Sequence, residues 1–399
     1  MKNIQDIDIN GKTVILRCDF NVPLKDGQVD DDSKLVKSLK TINYIVDHNA
    51  RVVILSHLGR VKTEEDKKGK SLQVVAEYLK VLLRKDVIFM PKTKDLNLDS
   101  DIKNTPLGSI IVLENTRYED VPNKLESSNN EKLSRYWASL GDIFCLDAFG
   151  SAHRAHASTA GIGSYIPSCL GFLMQEEMEN LSYLVNGPER PFTILMGGAK
   201  VDDKIKLIKN LLPKCDYFLA TGGIANSFLK ALRFPIGSSL ATDDDSIIST
   251  LRSLILENKN KIVLPIDATV GSTYDDNYAR YRLISEVGTN EIIYDIGIKT
   301  IKKYKIAIDK SKTIFVNGTC GMYEDSKYAN GTMQTFNNLA MSNASIYVGG
   351  GDSVAAAKKL GFEGKFKYLS SGGGATLEFL GDGKLEAVEY LKEHSKWKG

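Results

Sequence analysis

Short runs of apolar residues alternate along the chain with segments of helical periodicity, and this alternation restricts the fold more than any other feature. In the first half, the apolar runs lie at 14–16, 52–55, 110–113 and 143–146. Helical patterns lie between them at 72–83 and 131–140. Buried parallel strands read as nearly continuous apolar runs, and strands that alternate with helices indicate an α/β architecture with a parallel sheet.

A second series of strands indicates a second domain, as expected because 399 residues exceed one ordinary core. Its apolar runs lie at 192–196, 217–220, 261–266, 313–316, 345–348 and 367–369. A helical pattern at 174–185, ended by Asn186-Gly187-Pro188, separates the two series. We therefore expect two doubly wound, Rossmann-like parallel-sheet domains, joined by a connector helix and a hinge. The predicted bounds are 1–173, 174–187 for the connector, and 188–384.

Composition limits the class of protein and the compartment. The chain is 42% hydrophobic and 26% charged, as in soluble globular proteins. Its net charge of +2 gives no general attraction for nucleic acid. The N-terminus lacks the apolar core of a signal peptide, and no run approaches the roughly 18 apolar residues that span a membrane. The 5 scattered cysteines predict neither a disulfide framework nor a zinc site. These features favour a cytoplasmic protein without nucleic-acid or membrane partners.

Polar and cationic residues follow the strands of the first half. The segments concerned are RCDFN (17–21), SHLGR (56–60), ENTRY (114–118) and DAFGSAHR (147–154). They deliver His57, Arg60, Arg117 and Arg154, with Asp19 and Asn21 among them. Any one arginine alone is more often a surface or ion-pair residue. Four cationic groups at the strand ends, where ligands of open parallel sheets bind, predict a site for a small, strongly anionic substrate.

The stretch DAFGSAHRAHAS (147–158) places His153 and His156 on either side of Arg154. A metal site would need acidic or thiolate partners at ligand spacing, and a catalytic histidine would need a nucleophile and an orienting group. Neither grouping is evident nearby. We therefore assign the anion-binding role to Arg154 and expect the histidines to hydrogen-bond to neighbouring groups.

Glycines follow the strands of the second half and precede helical patterns. The segments are MGGAKVDDK (196–204), TGGI (221–224), GGGDS (349–353) and SGGGA (371–375). Backbone amides at such junctions hold phosphates, so four of them predict a nucleotide site. Neither a P-loop motif nor GxGxxG occurs. We expect Lys200 and Lys204, spaced i,i+4, to share one face at the start of a helix and neutralise a phosphoryl group, and Asp352 to meet Mg²⁺.

Together these motifs resemble those of the phosphoglycerate kinase family, and the resemblance runs through essentially the whole chain in order. The matching segments are RCDFNVP (17–23), SHLGR (56–60), ENTRYE (114–119), DAFGSAHRAH (147–156), GGAKVDDKI (197–205), GGGDS (349–353) and SGGGATLEFL (371–380). The resemblance implies Mg²⁺-dependent, reversible, direct in-line phosphoryl transfer between 1,3-bisphosphoglycerate and ADP. It also implies a monomer, hinge-bending closure, and packing of 385–399 against the N-terminal domain.

The resemblance further implies roles for individual residues. Those expected to bind 3-phosphoglycerate are Asp19, Phe20, Asn21, Lys34, His57, Leu58, Gly59, Arg60, Arg117 and Arg154. Those expected to bind ATP or ADP are Gly198, Ala199, Lys204, Gly297, Asn317, Glu324, Gly350, Gly351, Asp352 and Ser353, with Glu324 on the ribose and Asp352 on the metal. Those expected to stabilise the transferring group are Lys34, Lys200, Lys204, Gly372 and Gly373.

Some positions depart from the family pattern. Lys34 stands where the family usually has an arginine that reaches the transferring phosphoryl group, and a lysine keeps the charge but loses the planar fork. The family's WNGPMG segment is here VNGTCG (316–321), and Ile298 follows Gly297 in place of proline. These changes motivate an alternative hypothesis, a divergent, weakly active or non-catalytic homologue that binds nucleotide or a partner. A kinase for another small carboxylate would need a reshaped anion pocket, of which the sequence gives no sign.

Overall fold

The computed structural model describes residues 1–272 and 277–396. Residues 273–276 of the predicted second domain and 397–399 of the predicted C-terminal segment lie outside the described residues. The chain divides into two compact units. One comprises Met1–Glu179 with Lys384–Gly399, and the other comprises Asn180–Gly383.

The first unit is built on a parallel sheet. Its strands are β1 (Thr13–Cys18), β2 (Leu24–Lys25), β3 (Gln28–Val29), β4 (Arg51–Leu55), β5 (Val87–Met90), β6 (Ile110–Leu113), β7 (Ile143–Asp147) and β8 (Ser168–Leu170). The sheet order is β5-β6-β4-β1-β7-β8, whereas β2 and β3 form a short antiparallel hairpin. Every residue of β1, β4, β6 and β7 is buried, which explains their continuous apolar runs.

Helices connect these strands and bury one apolar face each. They are α1 (Ser33–Asp47), α2 (Gln73–Leu83), α3 (Leu98–Lys103), α4 (Glu131–Ala138) and α5 (Phe172–Asn186). On α2, Val75, Leu79 and Leu83 recur every four residues and are buried, as the predicted helical pattern requires. The helix predicted at 174–185 is α5, which begins two residues earlier and ends one residue later.

The second unit contains another parallel sheet and a smaller antiparallel one. Its strands are β9 (Phe192–Met196), β10 (Tyr217–Ala220), β11 (Ile262–Val263), β12 (Asp267–Ser272), β13 (Arg280–Leu283), β14 (Glu291–Ile296), β15 (Thr313–Asn317), β16 (Ser345–Val348) and β17 (Tyr368–Leu369). The parallel sheet has the order β11-β10-β9-β15-β16-β17, and β12 pairs with β13 and β14 in the antiparallel sheet. Its helices are α6 (Ile205–Leu211), α7 (Gly222–Ala231), α8 (Asp245–Glu257), α9 (Ile298–Lys310), α10 (Asn330–Ala340), α11 (Gly351–Lys359) and α12 (Gly374–Asp382).

Two differences from the sequence prediction concern the second unit. The run predicted as one strand at 261–266 forms only the short β11. The antiparallel sheet was not predicted, because β13 is half exposed and rich in arginine and β12 contains Asp267 and Gly271, so neither reads as a continuous apolar run. Among the described residues, no helix is long and apolar enough to cross a membrane.

The C-terminal helix α13 (Glu386–His394) packs within the first unit, far in sequence from its partners. The amide of Ala387 donates to the carbonyl of Ala152 at 3.0 Å, and the hydroxyls of Tyr390 and Ser164 are 3.0 Å apart. Leu391 is fully buried beside Gly163, where an added Cβ would lie 2.2 Å from its Cδ2. Apolar burial therefore ties the chain end to the N-terminal unit.

We predict that Leu391→Ala lowers the free energy of unfolding of the first unit by about 2–5 kcal/mol, because it leaves a cavity at a fully buried site. Urea unfolding followed by circular dichroism measures this loss. The control is Glu393→Ala on the exposed face of the same helix, for which we expect a change within about 0.5 kcal/mol. Equal effects of the two substitutions would contradict the packing of α13 described here.

Candidate active site

The carboxyl ends of β1, β4 and β6 lie side by side at one edge of the first sheet, because these strands pair in parallel register. The predicted cationic residues follow these strands and β7. Arg117 exerts its charge on both His57 and His156, and Arg154 acts on His156 as well, so the structure brings these groups into one cluster. Arg60 is exposed on the loop after β4 and forms no ion pair with any described residue.

Asp19 organises the side of this cluster next to α1. Its Oδ2 accepts from the Lys34 Nζ at 2.9 Å. Burial opposes ionisation of Asp19, but Lys34, His57 and Arg17 together outweigh it and hold the pKa of the carboxyl below its ordinary value. Asn21 fixes the next loop, since its Oδ1 accepts from the amide of Gly59 at 2.8 Å. Phe20 and Leu58 are buried and anchor these two loops in the core.

His57 is held as a neutral imidazole. Burial, followed by the charge of the neighbouring Arg17, lowers the pKa of His57 to about 3. The Arg17 Nη2 lies 3.0 Å from the His57 Nδ1. A guanidinium can only donate, so Nδ1 accepts and the remaining ring nitrogen, Nε2, carries the proton. His57 can therefore donate a hydrogen bond to an anion without itself being charged.

Arg17 is a functional candidate that sequence reasoning missed. It is only 1% exposed, at the end of β1, and lies beside both Ser56 and His57. The signal available was a charged residue directly after the apolar run 14–16, in a strand buried throughout. Arginines are almost never fully buried unless they are paired, so such a position indicates a built polar network.

The two histidines of the 147–158 stretch are both partly buried and close to arginines. Burial and the charges of Arg117, Arg17 and Arg154 lower the pKa of His156 to about 4. Burial and Arg154 also lower the pKa of His153. The local turn is closed by Thr159, whose hydroxyl accepts from the amide of His156 at 2.9 Å and donates to the carbonyl of Arg154 at 2.7 Å. This turn presents the exposed Arg154 side chain at its tip.

In the second unit, Lys204 is the most tightly held of the predicted phosphate-binding residues. Its Nζ donates to the carbonyl of Gly197 at 2.7 Å and to the Asn317 Oδ1 at 2.6 Å. Burial lowers the pKa of Lys204 to about 8, and the nearby carboxylates of Asp352 and Asp203 only partly oppose this shift. The ammonium group is therefore largely shielded from water and lacks a strong counter-charge. Both conditions favour the binding of an anion at this site.

The prediction that Lys200 and Lys204 share a helix face is wrong. Residues 202–204 form a single 3-10 turn, and α6 begins only at Ile205, so Lys200 precedes any helix. Glycines at 197 and 198 with a φ of +127° at Gly198 keep the backbone from entering helical geometry earlier. Lys200 is exposed, whereas Lys204 is half buried, and the two side chains therefore lie in different environments.

Asn317 connects Lys204 to the triple-glycine loop between β16 and α11. Its Nδ2 donates to the carbonyl of Gly349 at 2.6 Å, and the Ser353 Oγ donates to the same carbonyl at 3.0 Å. Gly350 has a φ of +98°, and a Cβ there would lie 2.5 Å from the Asn317 Nδ2. Only glycine satisfies both the left-handed backbone and this close approach.

Further residues predicted to contact the nucleotide lie elsewhere in the second unit, and Gly297 follows β14 of the antiparallel sheet rather than a strand of the parallel sheet. Gly297 directly precedes α9, and a Cβ there would lie 2.3 Å from the Asp267 Cγ. Gly373 has a φ of +52° and precedes α12, with Gly372 buried beside it. Ala199, Glu324 and Gly351 are exposed and therefore accessible to a ligand. These helix starts present backbone amides, which favour bound phosphate.

Asp352 is the residue predicted to meet a metal ion. It lies in the first turn of α11 and is exposed, and its charge reaches Lys204. Mg²⁺ binds through one or two carboxylates together with phosphate oxygens and water rather than in an all-protein cage. One exposed carboxylate beside a phosphate-binding glycine loop fits that mode of binding.

An apolar pocket beside Gly222 was not predicted from the sequence. Side chains from α7 and β14 line it, among them Ala225, Leu229 and Ile296, and Cys320 closes one side. The lining comes from segments that are far apart in sequence, and most of its residues are apolar, although Asp267 and Asp295 also line the pocket. No motif could therefore have identified the pocket.

Comparison with known proteins relates this arrangement to one family. A family model for phosphoglycerate kinase matches residues 4–384. The phosphoglycerate kinase of Fusobacterium nucleatum subsp. nucleatum is 44% identical over 395 residues, covering 98% of this chain and 99% of that protein. The enzyme of Enterococcus faecalis is 45% identical over 382 residues, covering 95% of this chain and 96% of that protein.

Solved structures agree with the sequence relatives. The phosphoglycerate kinase of Coxiella burnetii superposes with a TM-score of 0.87 at 36% identity, covering 99% of each chain. The enzyme of Pyrococcus horikoshii OT3 superposes with a TM-score of 0.84 at 29% identity, covering 98% of each. With its two parallel sheets and with relatives matched over nearly their full length, this chain belongs to the phosphoglycerate kinase family.

Proposed function

We propose that this protein catalyses the reversible transfer of a phosphoryl group between 1,3-bisphosphoglycerate and ADP, giving 3-phosphoglycerate and ATP in glycolysis and gluconeogenesis. As a member of the family it is a kinase that acts on a carboxyl group. The observation that carries the proposal is the contrast between the two sheets. One ends in arginines and a neutral histidine, and the other ends in glycine loops with a half-buried lysine.

The first unit is proposed to bind the phosphorylated acid. Arg60, Arg117 and Arg154 supply planar guanidinium groups for its phosphate and carboxylate. His57 donates a hydrogen bond from Nε2 as a neutral ring. Lys34, held by Asp19 at 2.9 Å, supplies the cationic group that reaches the transferring phosphoryl group. The remaining predicted contacts are Phe20, Asn21, Leu58 and Gly59.

The second unit is proposed to bind the nucleotide. The amides around Gly198, Gly350 and Gly373 hold its phosphates, and Lys204 neutralises the group in transfer. Lys200 is exposed, and we propose that its ammonium group helps to balance the charge of the transferring group. Asp352 would hold Mg²⁺ together with the phosphates. The metal supplies charge neutralisation on the phosphate oxygens when bound.

Transfer is proposed to occur directly and in line, without a phosphoenzyme. Such chemistry depends on positioning and on charge stabilisation, and it requires water to be excluded. In this proposal hinge-bending closure of the two domains brings the substrates together. We further propose that the protein is a cytoplasmic monomer whose partners are its small-molecule substrates, with no nucleic-acid or membrane partner.

A coupled assay of ATP formation from 1,3-bisphosphoglycerate, ADP and Mg²⁺ tests the proposal. The matched control is Asp352→Ala, which removes the proposed metal ligand from an exposed position. We expect robust turnover by the unmodified protein and strongly reduced turnover by the variant. Turnover no greater than that of Asp352→Ala would instead support the non-catalytic alternative, for which no comparison gives evidence.

We predict that Lys34→Arg raises kcat by at least about tenfold, because a guanidinium can make two parallel hydrogen bonds to the developing phosphoryl charge where an ammonium makes a single point contact. The KM for 3-phosphoglycerate should change little. Steady-state kinetics measure both constants. Lys40→Arg, an exposed substitution on the same helix, serves as the control, and an unchanged kcat for Lys34→Arg would refute the role given to residue 34.

We also predict that ADP binding takes up protons near pH 8. At this pH roughly half of the Lys204 side chains are charged, given a pKa of about 8. A bound phosphate raises this pKa and draws a proton from the buffer. Isothermal titration calorimetry at pH 8 in two buffers of different ionisation enthalpy measures the uptake. Lys204→Arg, always charged, should abolish it, whereas equal heats in both buffers for the unmodified protein would contradict the prediction.

A further inference from the structure

A fully buried polar network lies beneath the anion cluster of the first unit and includes residues that no motif identified. Glu126 and Ser158 are each 0% exposed, and Arg17 is 1% exposed. Glu126 lies in the loop that precedes α4, and its backbone carbonyl is anchored by the amides of Ala157 at 3.0 Å and Asn129 at 3.2 Å. The loop thus places a carboxylate in the interior at a defined position.

Ser158 bridges the two charged residues. Its amide donates to the Glu126 Oε2 at 3.0 Å, and its hydroxyl donates to the Glu126 Oε1. The same hydroxyl oxygen accepts from the Arg17 Nε at 2.8 Å. Because the hydroxyl has one proton and uses it on the carboxylate, the bridge has a single direction from Arg17 through Ser158 to Glu126.

Arg17 extends the bridge to His57. Its Nη2 donates to the His57 Nδ1 at 3.0 Å, and its Nη1 donates to the carbonyl of Cys18. Its Nη1 also donates to the Ser56 Oγ at 3.4 Å, so four separate acceptors fix the orientation of the Arg17 guanidinium. That orientation determines which nitrogen of His57 carries the proton, and therefore which atom can donate to a ligand.

Charge balance requires the carboxylate. An arginine in a protein stays protonated, and a buried positive charge without a partner is strongly unfavourable. Burial lowers the pKa of Arg17 and raises the pKa of Glu126, while their mutual attraction opposes both shifts. Asp19 also acts on Arg17 but is already paired with Lys34. Glu126 is therefore the counter-ion whose oxygens are committed to this network.

We propose that Glu126 is a positioning residue for substrate binding. Through Ser158 it fixes the orientation of Arg17, and Arg17 in turn fixes the His57 tautomer that carries its proton on Nε2. From Nε2, His57 donates a hydrogen bond to the anionic substrate. This inference rests on the proposed function. Glu126 itself touches no substrate. Its effect reaches the ligand only through the orientation of Arg17 and His57.

Nitrogen-15 NMR of histidine side chains tests the network without any substrate. In the unmodified protein the His57 signals should show an unprotonated Nδ1 and a protonated Nε2 across neutral pH. Glu126→Gln removes the charge at nearly constant shape, and we expect it to yield a mixture of tautomers. A protonated Nδ1 or a charged ring in the unmodified protein would overturn the proposal at once.

Calorimetric titration with 3-phosphoglycerate, in the absence of nucleotide, tests the consequence for binding. For Glu126→Gln we expect the Kd to rise by at least about tenfold, with the Kd for ADP unchanged. The matched control is Glu291→Gln, which removes a buried carboxylate paired with Arg282 at 2.9 Å in the second unit. This control should leave the Kd for 3-phosphoglycerate, the Kd for ADP and the His57 signals unchanged.

The outcomes separate positioning from general stability. If Glu126→Gln lowers only the melting temperature and leaves the tautomer and the Kd for 3-phosphoglycerate unchanged, the residue is merely structural and the proposal is wrong. If Glu126→Gln does not fold, Ser158→Ala breaks the bridge while keeping both charges, and the same two measurements decide. Failure of the unmodified protein to bind 3-phosphoglycerate would refute the proposed function itself, whereas the His57 tautomer would still report on the network.

Discussion

Burial of cationic groups at the carboxyl ends of parallel strands is the constraint on which both candidate sites depend. Desolvation makes a charge costly unless a partner compensates, and the two units meet this requirement differently. Arg17 has an internal counter-ion in Glu126, so it can remain buried permanently. Among the described residues, Lys204 finds neutral oxygen acceptors at hydrogen-bond distance, and burial lowers its pKa to about 8 because Asp352 and Asp203 compensate only in part. The first arrangement positions other groups, and the second favours an incoming phosphate.

In the proposed function, the two sheets also hold anions by different means. At the first, the binding groups are side chains, which can distinguish a carboxylate from a phosphate by their geometry. At the second, they are mostly backbone amides beside glycines with a positive φ, namely Gly198 in the loop after β9, and Gly350 and Gly373 directly before α11 and α12. Backbone amides at several glycine loops can each bind a different phosphate of one polyphosphate chain. The side chains of the first unit thus suit a small acid, and the backbone amides of the second unit suit a nucleotide.

The sequence alone predicted most of the parallel strands and the residues that follow them, because burial on both faces leaves a continuous apolar run and strand ends carry the polar exceptions. It did not predict the short edge strands β5 and β8 of the first sheet. Nor did it predict the antiparallel sheet, because β13 is half exposed and rich in arginine, and β12, although mostly buried, contains Asp267 and Gly271. It placed Lys200 on a helix that begins only at Ile205, since residue spacing does not show where a glycine pair delays the first turn. Arg17, Ser158 and Glu126 are distant in sequence, so only the folded chain reveals that they form one network.

The central claim is that each unit carries its own anion site, and amide chemical-shift mapping of the full-length protein tests it most directly. Titration with 3-phosphoglycerate alone should give the largest shifts at the amides of Gly59, Arg60 and Arg154. Titration with ADP and Mg²⁺ alone should give them at Gly198, Gly350 and Gly373. If the largest shifts with 3-phosphoglycerate fell instead on the glycine loops of the second unit, the division of the two substrates between the two sheets would be contradicted.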